Sequence, residues 1–379
     1  MQFTDIETLC IHGSSKRYDA TGAVCVPIFT AATYSHPGVG QSTGFDYSRT
    51  QNPTREHLEH TVAALEGGCG GIAFSSGMAA TSALMELFSP GDHIVASGDL
   101  YGGTYRLFEK ISVKNGITFS YADTVCGFAS AVTPATKAIL IETPTNPMMQ
   151  VVDIAAVSKI AQEHGLILIV DNTFLTPYFQ KPLSLGADIV LHSGTKYLGG
   201  HNDALAGLLV VKDAGINERL RVIAKTTGAV LSPFESYLII RGIKTLAVRM
   251  ERQQETAQKI ADWLTERDEV TAVYYIGLPS HQSYETTLRQ SSGFGGMISF
   301  SVRDEKTAVN LLERVKVIQY AESLGGVESL ITYPALQTHA DIPEEERTAR
   351  GIDSRLLRLS VGLESANDLL ADLQQALEG

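Results

Sequence analysis

From residue 70 to residue 211 the chain alternates short apolar runs, many of them β-branched, with segments of helical period, and nothing else in it restricts the fold so strongly. The runs occupy residues 72–74, 93–96, 117–121, 138–141, 166–170, 189–191 and 208–211. Strands that are apolar on both faces belong inside a parallel sheet covered on both sides. Helix signals fill the gaps between them. Over 153–164, Ile154, Val157, Ile160 and Ala161 share one stripe, Asp153 opens the segment and Gly165 follows its end. Residues 78–88 and 104–113 read the same way. Strand and helix in alternation predict an open α/β sheet with helices on both faces.

Past residue 235 the pattern changes. Residues 236–266 predict one long helix, broken or kinked near Gly242, followed by separated strands at 270–276, 296–302, 317–321 and 356–361 and a polar helix over 366–377. This predicts a smaller C-terminal α+β domain. The first fifty-odd residues, including FDYSRTQNPTR, are too irregular for a domain and suggest an extended arm that reaches another subunit. The expected organisation is an arm over 1–55, a large α/β domain over 56–245 and an α+β domain over 246–379.

Charge and composition narrow the partners. Thirty Lys and Arg against forty-two Asp and Glu give a net charge of −12, without a basic run, so neither nucleic acid nor an anionic membrane is expected to bind. The longest unbroken apolar stretches, such as 166–170, fall well short of the roughly 18 residues that a membrane span needs. The opening MQFTDIETLC lacks the pattern of a signal peptide, and a cytoplasmic protein is expected. Four scattered cysteines without a CxxC read as reduced thiols. His57 and His60 form an HxxH with no further His and no Cys beside it to complete a metal site, and no metal is expected.

In an open α/β sheet, ligands sit at the carboxyl ends of the strands. Polar residues follow several predicted strands here: Ser75-Ser76-Gly77-Met78, Glu142 through Pro147, Asp171-Asn172-Thr173, and His192 through Lys196. Together they suit pyridoxal phosphate, which needs a lysine for its Schiff base, a carboxylate for its ring nitrogen and an anion site. Lys196 lies just beyond a buried strand, where desolvation makes an amine a better nucleophile. Asp171, at the end of the most apolar strand, needs a cationic partner such as a pyridinium. The helix opened by Ser76-Gly77-Met78 offers free N–H groups to a phosphate, with the Ser193 and Thr195 hydroxyls and an arginine in support. Tyr101, after the 93–96 strand, is placed to stack on the ring.

Two other motifs fail. The GxGxxA match over 68–73 runs into a strand, whereas a dinucleotide site needs its glycines after one. Ser193 to Lys196 fits the SxxK of serine acyl-enzymes, but the SDN and KTG triplets that those enzymes also carry do not occur.

The segments YSRTQNPTR (47–55), SSGMAA (75–80), DLYGGTYRLF (99–108), ETPTNP (142–147), DNTF (171–174), HSGTKYLGGH (192–201), AESLGGVES (321–329) and RLSVGLE (358–364), in this order, resemble the cysteine and methionine metabolism family of pyridoxal-phosphate enzymes. That family includes cystathionine γ-synthase, the cystathionine lyases, O-acylhomoserine thiol-lyases and methionine γ-lyase. The resemblance implies a fold-type I, aminotransferase-like subunit in a homotetramer of two active dimers, acting on small amino-acid substrates. Lys196 would be the Schiff-base lysine and, with Tyr101 stacked on the ring, the catalytic pair; Asp171 would hold the ring nitrogen. Gly77, Met78, Ser193 and Thr195 would hold the phosphate, joined by Tyr47 and Arg49 of the neighbouring subunit. Asn146, Ser323, Thr338 and Arg358 would surround the substrate's α-amino-acid end, while Arg106 and Glu322 would face its distal end.

Glu322 ahead of Ser323 resembles the members that act at Cγ, and the stretches over 40–55 and 331–347 resemble Gram-positive cystathionine γ-synthases and O-acetylhomoserine thiol-lyases. The implied reaction is γ-replacement on an O-acylated homoserine by cysteine, with a cystathionine or methionine lyase as the alternative. Gln337 stands where many members have Met, and Asn202 where Ser is common. A ligand-binding regulator on this fold would be expected to lose Lys196 or Asp171, and both are present.

Overall fold

The computed structural model describes residues 4–13, 21–340 and 343–378. Parts of the expected arm, residues 1–3 and 14–20, lie outside the described residues, as do Asp341 and Ile342 of the 331–347 stretch. Seven strands form the larger sheet: β1 (Gly70–Phe74), β2 (His93–Ser97), β3 (Thr118–Ala122), β4 (Thr136–Glu142), β5 (Ile167–Asp171), β6 (Ile189–Ser193) and β7 (Gly207–Val211). Their order is β1-β7-β6-β5-β4-β2-β3. All seven coincide with predicted apolar runs. Alternate residues of one strand enter different cores: Ile139 and Ile141 of β4 pack on one face, Ala138 and Leu140 on the other. Both faces are therefore covered, which is why the strands read as unbroken apolar runs.

The sheet is mixed and mostly parallel. β7 is antiparallel to both β6 and β1. No crossover helix intervenes between β6 and β7, so the chain turns back beside its neighbour.

Helix boundaries follow local chemistry. Asp153 caps Ile154–His164 by accepting the Ala156 N–H at 2.9 Å, and Gly165 closes it at φ 65°. Asn52 caps Pro53–Glu66 through the Thr54 and Arg55 N–H groups. The helix expected over 236–266 with a break or kink near Gly242 is interrupted there, as two helices, Pro233–Ile243 and Leu246–Thr265. A Cβ at Gly242 would collide with the Gly199 carbonyl oxygen, so glycine there lets the helix lie against the loop that follows Lys196. Arg249, fully buried, pins the same contact by donating to the carbonyls of Tyr197 (2.7 Å) and Gly242 (2.8 Å).

The smaller sheet contains β8 (Val270–Tyr274), β9 (Met297–Val302), β10 (Gln319–Tyr320), β11 (Leu330–Thr332) and β12 (Leu356–Ser360), in the order β10-β11-β12-β9-β8. Its core joins Ile298, Phe300, Leu357 and Leu359 to Leu369 and Leu373 of the final helix. The strand expected at 317–321 shrinks to the two exposed residues of β10 at the sheet edge, and β11 is additional. Among the described residues no helix is long and apolar enough to cross a membrane.

Candidate active site

The carboxyl ends of β4, β5 and β6 open into one cleft, which the 322–324 and 338 segments and Arg358 of the smaller sheet close from the side. Lys196, Asp171, Tyr101, Gly77, Met78, Ser193, Thr195, Asn146, Ser323, Thr338, Arg358 and Glu322 all line it.

Lys196 sits in a tight turn after β6, and its Nζ donates to Ser323 Oγ at 3.0 Å. Burial, reinforced by the Arg358 charge and opposed by Glu322, pulls the amine's pKa down to about 8. Ser323 holds φ 97°, a region that a side-chain-bearing residue enters only at a cost, and in that conformation its hydroxyl meets the amine. A Cβ at Gly325 (φ 79°) would lie 2.6 Å from the Tyr197 amide, so the 323–326 turn packs directly on the lysine loop.

Asp171 ends β5 in register with Glu142, which ends β4. Burial raises both carboxyls; Asp171 lifts Glu142 further, while Thr173 and His192 oppose the rise of Asp171. Asp171 Oδ1 accepts from the Thr173 N–H (3.0 Å) and hydroxyl (2.5 Å), and that hydroxyl accepts from the Ser193 N–H at 2.9 Å. One threonine thus ties the acid to the strand that carries the lysine. Glu142 accepts from the backbone N–H groups of Tyr101 and Asn146, both at 3.0 Å, and so fixes the two loops it touches. Beneath the sheet, His192 Nε2 and Glu66 Oε1 lie 2.6 Å apart, both buried.

A helix end and a hydroxyl-bearing turn meet at Gly77 and Ser193. Ser76 caps Gly77–Met85 through the Ala79 N–H at 3.1 Å, leaving Gly77 and Met78 at the open turn. A Cβ at Gly77 would lie 3.2 Å from Ser193 Oγ, so this helix end abuts the 193–195 turn. Thr195 Oγ1 accepts from the Ala206 N–H at 3.0 Å. The smaller sheet contributes Arg358, fully buried, which donates to Asn146 Oδ1 (2.7 Å), the Ser323 carbonyl (2.9 Å) and Thr332 Oγ1 (3.0 Å). Burial lowers its pKa to about 10, so it stays a cation, and its Nε has no hydrogen-bond partner.

Three predicted residues are not brought into the cleft. Tyr47 and Arg49 lie on the arm, where the guanidinium stacks 5.6 Å from the tyrosine ring and donates to the Lys225 carbonyl. Arg49 lines a separate basic hollow with Arg55, Arg221 and Lys225. Arg106 is exposed on Gly102–Lys110, one turn beyond the cleft wall. The cleft also contains residues to which the sequence reading gave no role: Glu142, Thr173, Phe174 and Leu205. Glu142 and Thr173 directly follow strands and were within reach of the same rule; Leu205 carries no sequence signal.

A family model described as Cys/Met metabolism PLP-dependent enzyme matches residues 7–378. The chain belongs to this family. Among its relatives, a cystathionine gamma-synthase/O-acetylhomoserine (thiol)-lyase of Bacillus subtilis (strain 168) is 52% identical over 98% of this chain and 96% of the relative. A cystathionine gamma-lyase of the same organism is 51% identical over 98% and 99%. The solved cystathionine gamma-lyase from Lactobacillus plantarum complexed with L-serine is similar at TM-score 0.96 and 45% identity, with 99% of both chains covered.

Membership of the Cys/Met metabolism family makes pyridoxal 5′-phosphate the cofactor. The residues present fit it. Among the described residues Asp171 forms no ion pair, and a carboxylate raised by burial at the floor of a cleft has most to gain from a protonated ring nitrogen. The helix end at Gly77 and the neighbouring Ser193 turn match the phosphate, and the lowered Lys196 amine matches the aldehyde.

Proposed function

We propose that this trans-sulfuration enzyme joins cysteine to an O-acylated homoserine, giving cystathionine and releasing the acyl group as a carboxylic acid. The observation that carries this reading is the placement of Glu322 beside Ser323 on the cleft wall, where its carboxylate acts on the Lys196 amine. An acid at that position suits the ammonium of a second amino acid. The bifunctional synthase relative supports the same reading.

In this reading Arg358 takes the substrate carboxylate, its guanidinium oriented by Asn146, Ser323 and Thr332. When bound, pyridoxal phosphate supplies an electron sink that acidifies the substrate Cα–H. Lys196, with a pKa near 8, is available as a base at working pH; it removes the Cα proton and moves a proton at Cβ as the Cγ–O bond breaks. The cysteine sulfur then bonds to Cγ, its thiol proton is balanced by the released carboxylic acid, and Lys196 returns the protons to Cβ and Cα. Asp171, held by Thr173, keeps the ring nitrogen protonated throughout. Ser323 receives Lys196 between proton transfers.

Among the described residues the one arginine lining the cleft is Arg358, which this reading gives to the substrate carboxylate. We assign the support of the phosphate to Tyr47 and Arg49 of a neighbouring copy, in a homotetramer of two active dimers, and we assign the arm, large and small units to 1–55, 56–245 and 246–379. A second reading, cystathionine lysis, has the support of relatives with that name, including a cystathionine beta-lyase of Lactococcus lactis at 49% identity.

The test is product analysis of the holoenzyme with O-acetyl-L-homoserine and cysteine supplied together. Cystathionine as the main product supports replacement. Little cystathionine there, with 2-oxobutanoate or pyruvate formed from supplied cystathionine, makes the enzyme a lyase.

A further inference from the structure

A carboxylate beneath the strand ends has no part in the chemistry above. Glu66 closes the Pro53–Glu66 helix and is fully buried. Its Oε1 accepts from Asn172 Nδ2 at 3.0 Å and lies 2.6 Å from His192 Nε2. At that distance a hydrogen lies between the two atoms, and the amide donor alongside favours placing it on Nε2, with Oε1 accepting both. Among the described residues Glu66 Oε2 and His192 Nδ1 have no hydrogen-bond partner, so the whole polar engagement of the acid runs through one oxygen. A carboxylate buried so deeply is costly, and a leucine would fill the space without that cost.

The two donors belong to neighbouring strand ends. Side chains alternate along β5 and β6: Val170 and Val190 enter the core that contains Leu65, while Ile169 and Leu191 enter the opposite one. Asn172 and His192 continue the first face, Asp171 and Ser193 the second. On the cleft side Thr173 ties the strands together, donating to Asp171 and accepting from the Ser193 N–H. On the underside Glu66 ties the adjacent pair. The bond from the Asn172 N–H to the Leu191 carbonyl, 3.0 Å, lies between the two ties. Asn172 is also held from its other side. Its Nδ2 donates to the Gln180 carbonyl (2.8 Å), and its Oδ1 accepts from Gln180 Nε2 (2.9 Å). Gln180 Nε2 donates in turn to the Thr143 carbonyl, just beyond β4, at 3.0 Å.

We infer that Glu66 is a positioning residue: by holding Asn172 and His192 together it fixes the spacing between Asp171 and the 193–196 turn, and so keeps the acid in place against a cofactor that the turn carries. The inference rests on the assignment of Asp171 to the ring nitrogen and of Lys196 to the aldehyde. It adds how this chain holds those two groups in register from the far side of the sheet.

The experiment measures cofactor dissociation from the holoenzyme by its visible band, together with the 15N signal of ring-labelled cofactor, which reports protonation of the ring nitrogen. Glu66→Leu should weaken the cofactor roughly tenfold, the scale of one hydrogen bond to a charged group, and move the 15N signal of the bound cofactor towards that of Asp171→Asn. Glu66→Gln keeps an oxygen that accepts from both donors and should stay within about threefold of the parent. Added to Asp171→Asn, Glu66→Leu should cost no more than about twofold, because both substitutions act on one interaction. A merely structural loss would be equal in the two backgrounds and would leave the 15N signal of the bound fraction unmoved.

His192→Leu breaks the β6 half of the tie, whereas His192→Gln places an amide N–H where Nε2 stood. This pair should repeat the contrast, and it carries the test if Glu66→Leu fails to fold. Equal losses in the two backgrounds, an unmoved 15N signal, or Gln variants no better than Leu variants would each overturn the inference. If Asp171→Asn alone changes neither affinity nor the 15N signal, the assignment of Asp171 falls and this inference with it. If it changes both while the Glu66 and His192 variants match their parent, this inference alone falls.

Discussion

Lys196→Met isolates what the fold pays to hold an amine in the cleft. The amine titrates near 8 where an ordinary lysine titrates at 10.5. At about 1.4 kcal/mol per pH unit, an ammonium in this place costs the cofactor-free fold roughly 3 kcal/mol. The folded value lies below the unfolded one, so the cost is complete below pH 8 and fades as pH rises towards 10.5. Cleft water reaches part of the side chain and trims the figure, and the lost bond to Ser323 removes about 0.5–1.5 kcal/mol more. The Met variant should therefore be more stable than its parent by about 1–2 kcal/mol at pH 7, with most of that gain gone by pH 10. Urea unfolding of both cofactor-free proteins at the two pH values measures this, and every other titrating group cancels in the difference. A gain that is the same at pH 7 and pH 10, or a variant less stable at pH 7, would refute the reasoning.

Asp171→Asn should weaken cofactor retention roughly ten- to hundredfold, by loss of a charge-assisted bond, as read from the visible band after dialysis. Burial raises this carboxyl, so its ionised form opposes folding above its ordinary range and the opposition vanishes as pH falls. The cofactor-free Asn variant should thus melt higher than its parent at pH 7. Gly207→Ala would drive a Cβ into the Ser76 carbonyl and lever the helix end proposed to hold the phosphate away from β7; cofactor affinity should fall while far-ultraviolet circular dichroism changes little. Mixing inactive Arg49→Ala and Lys196→Ala parents should restore some turnover in hybrid oligomers, and no rescue would place the complete site within one subunit.

The larger sheet was legible because burial on both faces forces apolar residues at every position, and such a run has few other readings. Direction was less so. Nothing in GLLVV distinguishes a parallel strand from the antiparallel β7; the missing crossover helix does. The residues that supply charge at the cleft, Lys196, Asp171 and Arg358, follow from what ends each strand and from the resemblance. Their supports were harder to see. Thr173 and Glu142 stood where the strand-end rule could reach them, but the groups they hold include backbone N–H groups, which have no sequence signature. Arg106 follows Tyr101 by five residues, and helical rotation carries it off the wall.

The reversal of β7 also governs the order in which the molecule can be assembled. β1 has β7 as its sole neighbour in the sheet, although it is the first strand to leave the ribosome. It must wait until residues 207–211 emerge before its edge is paired, and the helix that starts at Gly77 gains its close contact with Gly207 only then. Contacts so distant in sequence form slowly. A nascent chain stalled before residue 207 should therefore hold β2 to β6 but leave β1 unpaired and the helix end at Gly77 less firmly held, and its grip on the cofactor should tighten once β7 is in place.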